Sequence, residues 1–262
     1  MRVRQVQIST NGQAQSSNAA DFHAQADDVF GRIATRYDLL CDLFSLGIHR
    51  LWKRRVAAII AQEPWTCLLD AAAGTGDVVL RVVNHQGLQR GQVVIASDIS
   101  PQMLMIARKR AGSLSDSLDF RVLDAHSIPD IQGDSIDLYS ISLGLKICNR
   151  SNVLQEALRV LRPGGRFVSL EASNIVWPWL QRAYLAYMSL CMPFIGWAAT
   201  GGDASAYKYL LKGIQEFPSA ETLAIELSSM GFEDVSFERL SLGVVAIHIA
   251  RKPLSQISST AF

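Results

Sequence analysis

The sequence predicts an α/β protein built on a parallel sheet covered by helices on both faces. After Pro64, short apolar runs alternate with amphipathic stretches, as strands do when buried on both faces and joined by crossover helices. The run at 66–70 passes straight into a turn of small residues, "LLDAAAGTGD" (68–77), which lets another molecule approach the backbone closely. The last two runs, 234–240 and 243–250, are separated by little more than Ser241, Leu242 and Gly243, so an antiparallel hairpin is expected at the sheet edge.

Residues 1–20 are rich in Gln, Ser and Asn and lack an apolar core. They read as a disordered tail rather than a secretory signal, although Arg2 and Arg4 give a faint likeness to a transit peptide. Residues 21–61 are helical in pattern, with Val29, Phe30, Ile33 and Tyr37 on one stripe and Ile48, Leu51, Trp52, Val56 and Ile59 on another. Strands are expected at 66–70, 93–98, 119–123, 136–142 and 166–171, with helices near 77–85, 101–112 and 151–161. "LRPGG" (161–165) stops the third of these helices, because Pro cannot continue it and Gly permits the turn. A helical insert at 172–218 follows, then a helix near 219–230 ended by Gly231. Residues 253–262 read as a frayed tail.

Within the insert, residues 175–199 are dense in aromatic and methionine side chains: Trp177, Trp179, Tyr184, Tyr187, Met188, Met192, Phe194 and Trp197. Gln181, Arg182, Pro178 and Pro193 interrupt the stretch, so it reads as a buried or lid-forming helix and not a membrane span. The whole chain of 262 residues is 49% apolar, enough for one sizeable core, and its formal charge of +1 gives no basic face for nucleic acid. Cys41, Cys67, Cys148 and Cys191 have no metal-ligand spacing. Reduced thiols in a cytoplasmic protein are expected, with no metal site.

A nicotinamide cofactor and S-adenosylmethionine both lie over a turn such as 70–77, where Asp70, Gly74 and Gly76 are the candidate residues. The dinucleotide fingerprint needs a third Gly at position 79, which is Val79. Asp77 also places a negative charge at the helix start, where a pyrophosphate would lie. Both points favour the sulfonium cofactor. Asp98, beside Ile99, ends the second run 22 residues after Gly76, where a carboxylate can accept from ribose hydroxyls. Asp124 and Ala125 close the third run, placing an acceptor and an amide for adenine at the same sheet edge.

These residues resemble the ubiquinone and menaquinone biosynthesis C-methyltransferases. The likeness runs from about Val29 to Lys252. It is carried by "VFGRIATRYDLLCDLFSLGIHRLWKR" (29–54), the glycine turn, "SDISPQML" (97–104), "ALRVLRPGGRFVSLE" (157–171), "AYKYLLKGIQEFP" (206–218) and "GVVAIHIA" (243–250). It implies one methyltransferase domain over 21–252, with a Rossmann-like seven-stranded, mostly parallel sheet whose last strand is antiparallel. It also implies S-adenosylmethionine contacts at Thr75, Asp98, Asp124, Ala125 and Ser142, and methylation of a ring carbon of a prenylated quinol.

One departure stands out. Where the family has Gly-Leu-Arg-Asn after the fourth strand, this chain has Gly144-Leu145-Lys146-Ile147. Methylating a ring carbon is easiest on a phenolate, and a phenol has a pKa of about 10, so a site must remove the proton or hold a cation beside the oxygen. Lys146 is the candidate cation and His49 the candidate proton relay. Tyr207 and Asp203 are candidates for orienting the quinol oxygens, whereas His248 reads as structural. The aromatic insert is expected to line a channel for the isoprenoid tail and to rest on a membrane surface. A homodimer or a quinone-synthesising assembly is compatible with the sequence. Two alternatives stay open: a related methyltransferase acting on another small aromatic metabolite, and a cofactor-binding scaffold without catalysis.

Overall fold

The computed structural model describes residues 37–200 and 205–254. The expected tail at 1–20, Val29, Phe30, Ile33, Asp203 and most of the expected C-terminal tail lie outside the described residues, as do the side chains of Tyr37, Met192, Phe194, Trp197 and Tyr207.

Seven strands form one sheet: β1 (Cys67–Ala71), β2 (Val93–Asp98), β3 (Asp119–Val122), β4 (Ile136–Ser142), β5 (Leu161–Ala172), β6 (Glu233–Leu240) and β7 (Val245–Arg251). Their order is β3-β2-β1-β4-β5-β7-β6. The first five run parallel, and β7 is antiparallel to both β5 and β6. The expected hairpin is therefore present, with β7 inside the sheet and β6 at its edge. Crossovers lead away from β1 in both directions, toward β2 and toward β4, which opens a crevice at the carboxyl ends of the strands.

Eight α-helices accompany the sheet in the described residues: α1 (Tyr37–Ser45), α2 (His49–Ile60), α3 (Asp77–Gln86), α4 (Pro101–Ala111), α5 (Arg150–Val160), α6 (Pro178–Thr200), α7 (Ser205–Glu216) and α8 (Ala220–Ser229). Their starts follow from local chemistry. Ser100, Asn149 and Ser219 each accept from a backbone amide three residues on, satisfying a donor the helix leaves unpaired, and Pro101 follows its cap at the position that needs no N–H.

Two apolar layers bury the sheet. On one face Leu68, Val94, Leu138, Val168 and Ile247 meet Val56 and Ile60 of α2 and Val79 and Val83 of α3. On the other, Leu69, Tyr139 and Phe167 meet Val153 and Ala157 of α5 and Leu223 and Leu227 of α8. Strand residues alternate between the layers, as the two-residue period requires. β5 is longer than the run expected at 166–171. Leu161 already pairs with Ile136, and the register shifts before Arg166 pairs with Leu138. The "LRPGG" segment thus ends α5 at Val160 as expected and then joins the sheet instead of forming a free turn. His248 is buried in β7. Its Nε2 lies 2.9 Å from the Ala220 carbonyl, which can only accept, so Nε2 carries the proton and the role is structural. Among the described residues no helix is long and apolar enough to cross a membrane.

Candidate active site

Four strand ends place the expected cofactor residues along one edge. Asp70, near the end of β1, is 1% exposed and accepts from Ser140 Oγ of β4 at 2.5 Å. Beyond β1 the chain turns through Ala72 and Gly74, both in the left-handed region, and Gly76 (φ 75°) starts α3. A side chain at Gly76 would meet Ala107 of α4 at 3.0 Å, whereas the space beyond Gly74 is open. Asp98, at the end of β2, accepts from the Gly74 amide at 2.8 Å and from the Ser100 amide at 2.9 Å. It therefore shapes the loop from the carboxyl end of its strand. Beyond β3, Asp124 accepts from the His126 amide at 2.9 Å and lies 2.6 Å from His126 Nδ1. The Asn149 amide donates to His126 Nε2, so Nδ1 carries the proton and donates to Asp124. Ile99 is half-buried after β2 and Ala125 is buried beside Asp124. Ser142 ends β4 with its Oγ buried and unpartnered. An orphaned hydroxyl and an open approach over Gly74 fit a cofactor laid across these ends.

Burial pushes the Asp70 carboxyl up to about 7, against the opposing pull of Ser140 and Lys53. A carboxyl raised above its unfolded value keeps a proton in the folded chain that the unfolded chain has already released. Its contribution to stability is present in acid and is lost as pH rises from its ordinary 3.8 through about 7. Asp70→Asn keeps an acceptor for Ser140, so the variant should gain thermal stability relative to the wild type as pH rises across that window. Melting curves of the cofactor-free proteins test this; a difference that does not change with pH would mean Asp70 is ionised throughout.

A network of charges joins the cofactor loop to the N-terminal helices. Thr75 Oγ1 donates to Asp38 of α1 at 2.8 Å and accepts from Arg110 of α4 at 2.7 Å. Both hydrogen-bonding roles of that hydroxyl are thus filled within the protein. Arg110 also pairs with Asp38 at 3.0 Å and Asp77 at 3.2 Å, and Asp77 pairs further with Lys53 and Arg81. The negative charge at the start of α3, which the sequence presented as an obstacle to pyrophosphate, is compensated by three cations, which hold the Asp77 carboxyl below its usual range against the cost of burial.

Next to this edge lies an apolar cavity of about 320 Å³, near the lower end of the range for small-molecule sites. Leu40, Phe44 and Ser45 of α1, His49 and Trp52 of α2, Leu143 and Lys146 after β4, Tyr184, Tyr187 and Met188 of α6, and Ser241 and Val245 of the hairpin line it. Trp52 Nε1 donates to Ser241 Oγ at 2.8 Å, tying α2 to the hairpin turn. The β1 and β4 exits touch: a side chain at Gly144 would sit 2.9 Å from the Ala72 Cβ, so only glycine lets the 144–147 turn lie against the cofactor loop.

Lys146 is half-buried, and its Nζ donates to the Leu143 carbonyl. Desolvation lowers its pKa, with Glu171 as the strongest opposing influence. His49 is buried, and burial, followed by nearby Lys53, lowers its pKa. It is therefore neutral near pH 7. Ser45 Oγ donates to the Cys41 carbonyl at 2.6 Å and lies 2.8 Å from His49 Nδ1. With its own proton committed, the serine accepts from Nδ1–H, which leaves Nε2 as a lone-pair acceptor.

The structure thus brings Lys146 and His49 into one cavity and sets the cofactor candidates beside it. Tyr207 falls on α7, with its side chain outside the described residues, and Asp203 lies outside them altogether. Asp38, Lys53, Arg110, Ser140 and Glu171 escaped the sequence reading. Glu171 carried a usable signal, an acid at the carboxyl end of an apolar strand run, the same signal that singled out Asp98. Arg110 carried none.

A model of the ubiE/COQ5 methyltransferase family matches residues 18–252. The ubiquinone/menaquinone biosynthesis C-methyltransferase UbiE of Acidiphilium cryptum is 41% identical over 224 residues, spanning 84% of this chain and 88% of that protein. The UbiE of Brucella abortus is 38% identical over 227 residues, spanning 85% and 83%. Among solved structures, a methyltransferase of Thermotoga maritima superposes with a TM-score of 0.61 at 18% identity, over 86% of this chain and 99% of that one. Human N-acetylserotonin methyltransferase, solved with S-adenosylmethionine, gives 0.56 at 19% over 83% and 56%. The [4+2]-cyclase SpnF gives 0.63 at 19% over 88% and 96%. These likenesses establish the Rossmann-like fold, and a cyclase among them illustrates that the fold does not dictate the reaction. The sequence matches do more: this chain belongs to the ubiE/COQ5 methyltransferase family, and S-adenosylmethionine is its cofactor.

Proposed function

We propose that this protein transfers a methyl group from S-adenosylmethionine to a ring carbon of a prenylated quinol in ubiquinone or menaquinone biosynthesis. The observation that carries the reading is the apolar cavity beside the cofactor edge, whose walls among the described residues hold one cation and one neutral base, Lys146 and His49. Its apolar lining suits a ring bearing a hydrocarbon tail. Bound over Gly74, the cofactor supplies an electrophilic methyl group on a sulfonium centre. The chain's own part is to make the acceptor carbon nucleophilic. His49 Nε2 takes the hydroxyl proton, and the Lys146 ammonium stabilises the ring oxygen as charge develops. Lys146 keeps the charge of the family's arginine without its two-pronged hydrogen bonding.

The test is incubation of purified protein with S-adenosylmethionine and a short-tailed demethylated quinol, with mass spectrometry of the ring-methylated product. Turnover of an unprenylated aromatic alone would favour the related methyltransferase. Cofactor binding without turnover of any acceptor would favour the scaffold.

The cavity rim is apolar too. Leu46 and Tyr187 line the cavity yet are exposed, and Leu39 and Leu43 of α1 and Val176, Trp177, Trp179 and Leu190 around α6 are exposed close by in the chain. Such a face suits the headgroup boundary of a bilayer, where a hydrophobic quinol resides. Reversible co-sedimentation with liposomes is expected, and it should fall several-fold in Trp177→Ser/Trp179→Ser. Extraction only by detergent would contradict a peripheral contact.

A further inference from the structure

Glu171, at the carboxyl end of β5, is fully buried. Its Oε1 accepts from the Leu145 amide at 2.6 Å, and its Oε2 is buried without a partner. Burial raises the Glu171 pKa, while Lys146 and the Leu145, Gly144 and Ala172 amides pull it back toward the charged form. Its neighbours show what a carboxylate there would serve. The 144–147 turn that Glu171 grips carries Lys146 into the apolar cavity. The same turn is held from two other sides, by Gly144 against Ala72 and by Gly213 of α7, where a side chain would meet the Lys146 carbonyl at 2.8 Å.

The charged and titratable groups around Lys146 are few. Glu171 of β5 is the strongest favourable influence on its ammonium and Lys53 of α2 opposes it, while Cys41 of α1 and Cys148 beyond the turn, the latter pushed up to about 12 by burial, face it as neutral thiols. His49, Tyr184 and Tyr187 line the same cavity. We propose that Glu171 is the positioning residue of the acceptor site: it fixes the 144–147 turn through the Leu145 amide and supplies the through-space negative charge that keeps Lys146 an ammonium inside an apolar pocket. The proposal rests on the role given to Lys146 above.

The experiment compares pH–rate profiles of the wild type and Glu171→Gln, each in the Lys146 and Lys146→Arg backgrounds. The Gln carboxamide oxygen still accepts from Leu145, so the turn is retained while the charge is lost. Removing a nearby negative charge lowers the lysine pKa. With a shift of about one unit, Glu171→Gln should fall about ten-fold behind the wild type on the alkaline side and stay within about two-fold in acid. In the Lys146→Arg background, where the cation cannot deprotonate, the same substitution should cost less than about two-fold at every pH. A deficit that is independent of pH, or equal in the arginine background, overturns the proposal and leaves the role of Lys146 standing. Wild-type kcat in Lys146→Met overturns both. Nitrogen NMR of the wild type, assigned by the signal missing in Lys146→Arg, gives a reading that needs no Glu171 variant to fold: a protonated Lys146 at neutral pH supports the proposal and a neutral one overturns it.

Discussion

Replacing Lys146 by Met is expected to lower kcat about 10–1,000-fold while leaving cofactor affinity nearly unchanged, the range for removing one electrostatic contact to a developing oxyanion. The asymmetry follows from where the charge appears. A neutral quinol gains little from a nearby ammonium, whereas a phenolate gains much, so the loss falls on the transition state rather than on binding. Met matches the length of the stem and its apolar surroundings, and among the described residues the Lys146 side chain bonds only the Leu143 carbonyl, so the turn should survive. Lys146→Arg keeps a cation at the same place and should keep most of the activity. Raising the pH should partly rescue Lys146→Met, because solution then supplies more of the phenolate. Steady-state kinetics over a range of pH with the demethylated quinol checks all three expectations. A loss that is the same at every pH would reduce Lys146 to a wall of the cavity. Unchanged kcat would return the mechanism to His49 alone.

The parts of this molecule that were legible in the sequence are those where one residue's chemistry acts locally. The strand runs were readable because residues buried on both faces leave no polar period. Gly74 and Gly76 were readable because the turn needs positive φ, and Asp98 because it falls with Asp70 and Asp124 at consecutive strand ends, although such an acid also commonly shapes a turn, as its bonds to the Gly74 and Ser100 amides show. Lys146 and His49 lie 97 residues apart in the chain, and their meeting in one cavity depends on how α1 and α2 fold back over the sheet. No spacing encodes that. The charge at Asp77 shows the same limit from the other side. Read alone it argued against a pyrophosphate, yet Lys53, Arg81 and Arg110 neutralise it, two of them from other helices. The preference for S-adenosylmethionine was correct, but the missing glycine at position 79 and the family likeness carry it better than that charge does. The extra length of β5 was hidden because Pro163 and the two glycines after it look like a loop until Leu161 is seen paired to Ile136.

Asp98→Ala is expected to weaken binding of S-adenosylhomocysteine by about 1–3 kcal/mol, or about 5–150-fold in dissociation constant. Two physical effects would contribute. On the ribose assignment proposed from the sequence, Asp98 at the end of β2 would accept from the ribose hydroxyls. It also holds the Gly74 and Ser100 amides, so its loss strands two donors and loosens the turn over which the cofactor lies. Asp98→Asn retains one carbonyl oxygen and brings an amide group that cannot accept, which makes it the milder variant. Titration calorimetry with S-adenosylhomocysteine and with its 2′-deoxy analogue distinguishes the two contributions as a double-substitution cycle. If Asp98 receives the ribose hydroxyl, the analogue binds the wild type weakly and loses much less than the parent ligand on going to Asp98→Ala, because the same interaction cannot be removed twice. If Asp98 serves only the loop, both ligands lose affinity equally and the melting temperature of the cofactor-free protein falls in step. Undiminished affinity in a folded Asp98→Ala protein would remove this carboxylate from the cofactor site altogether.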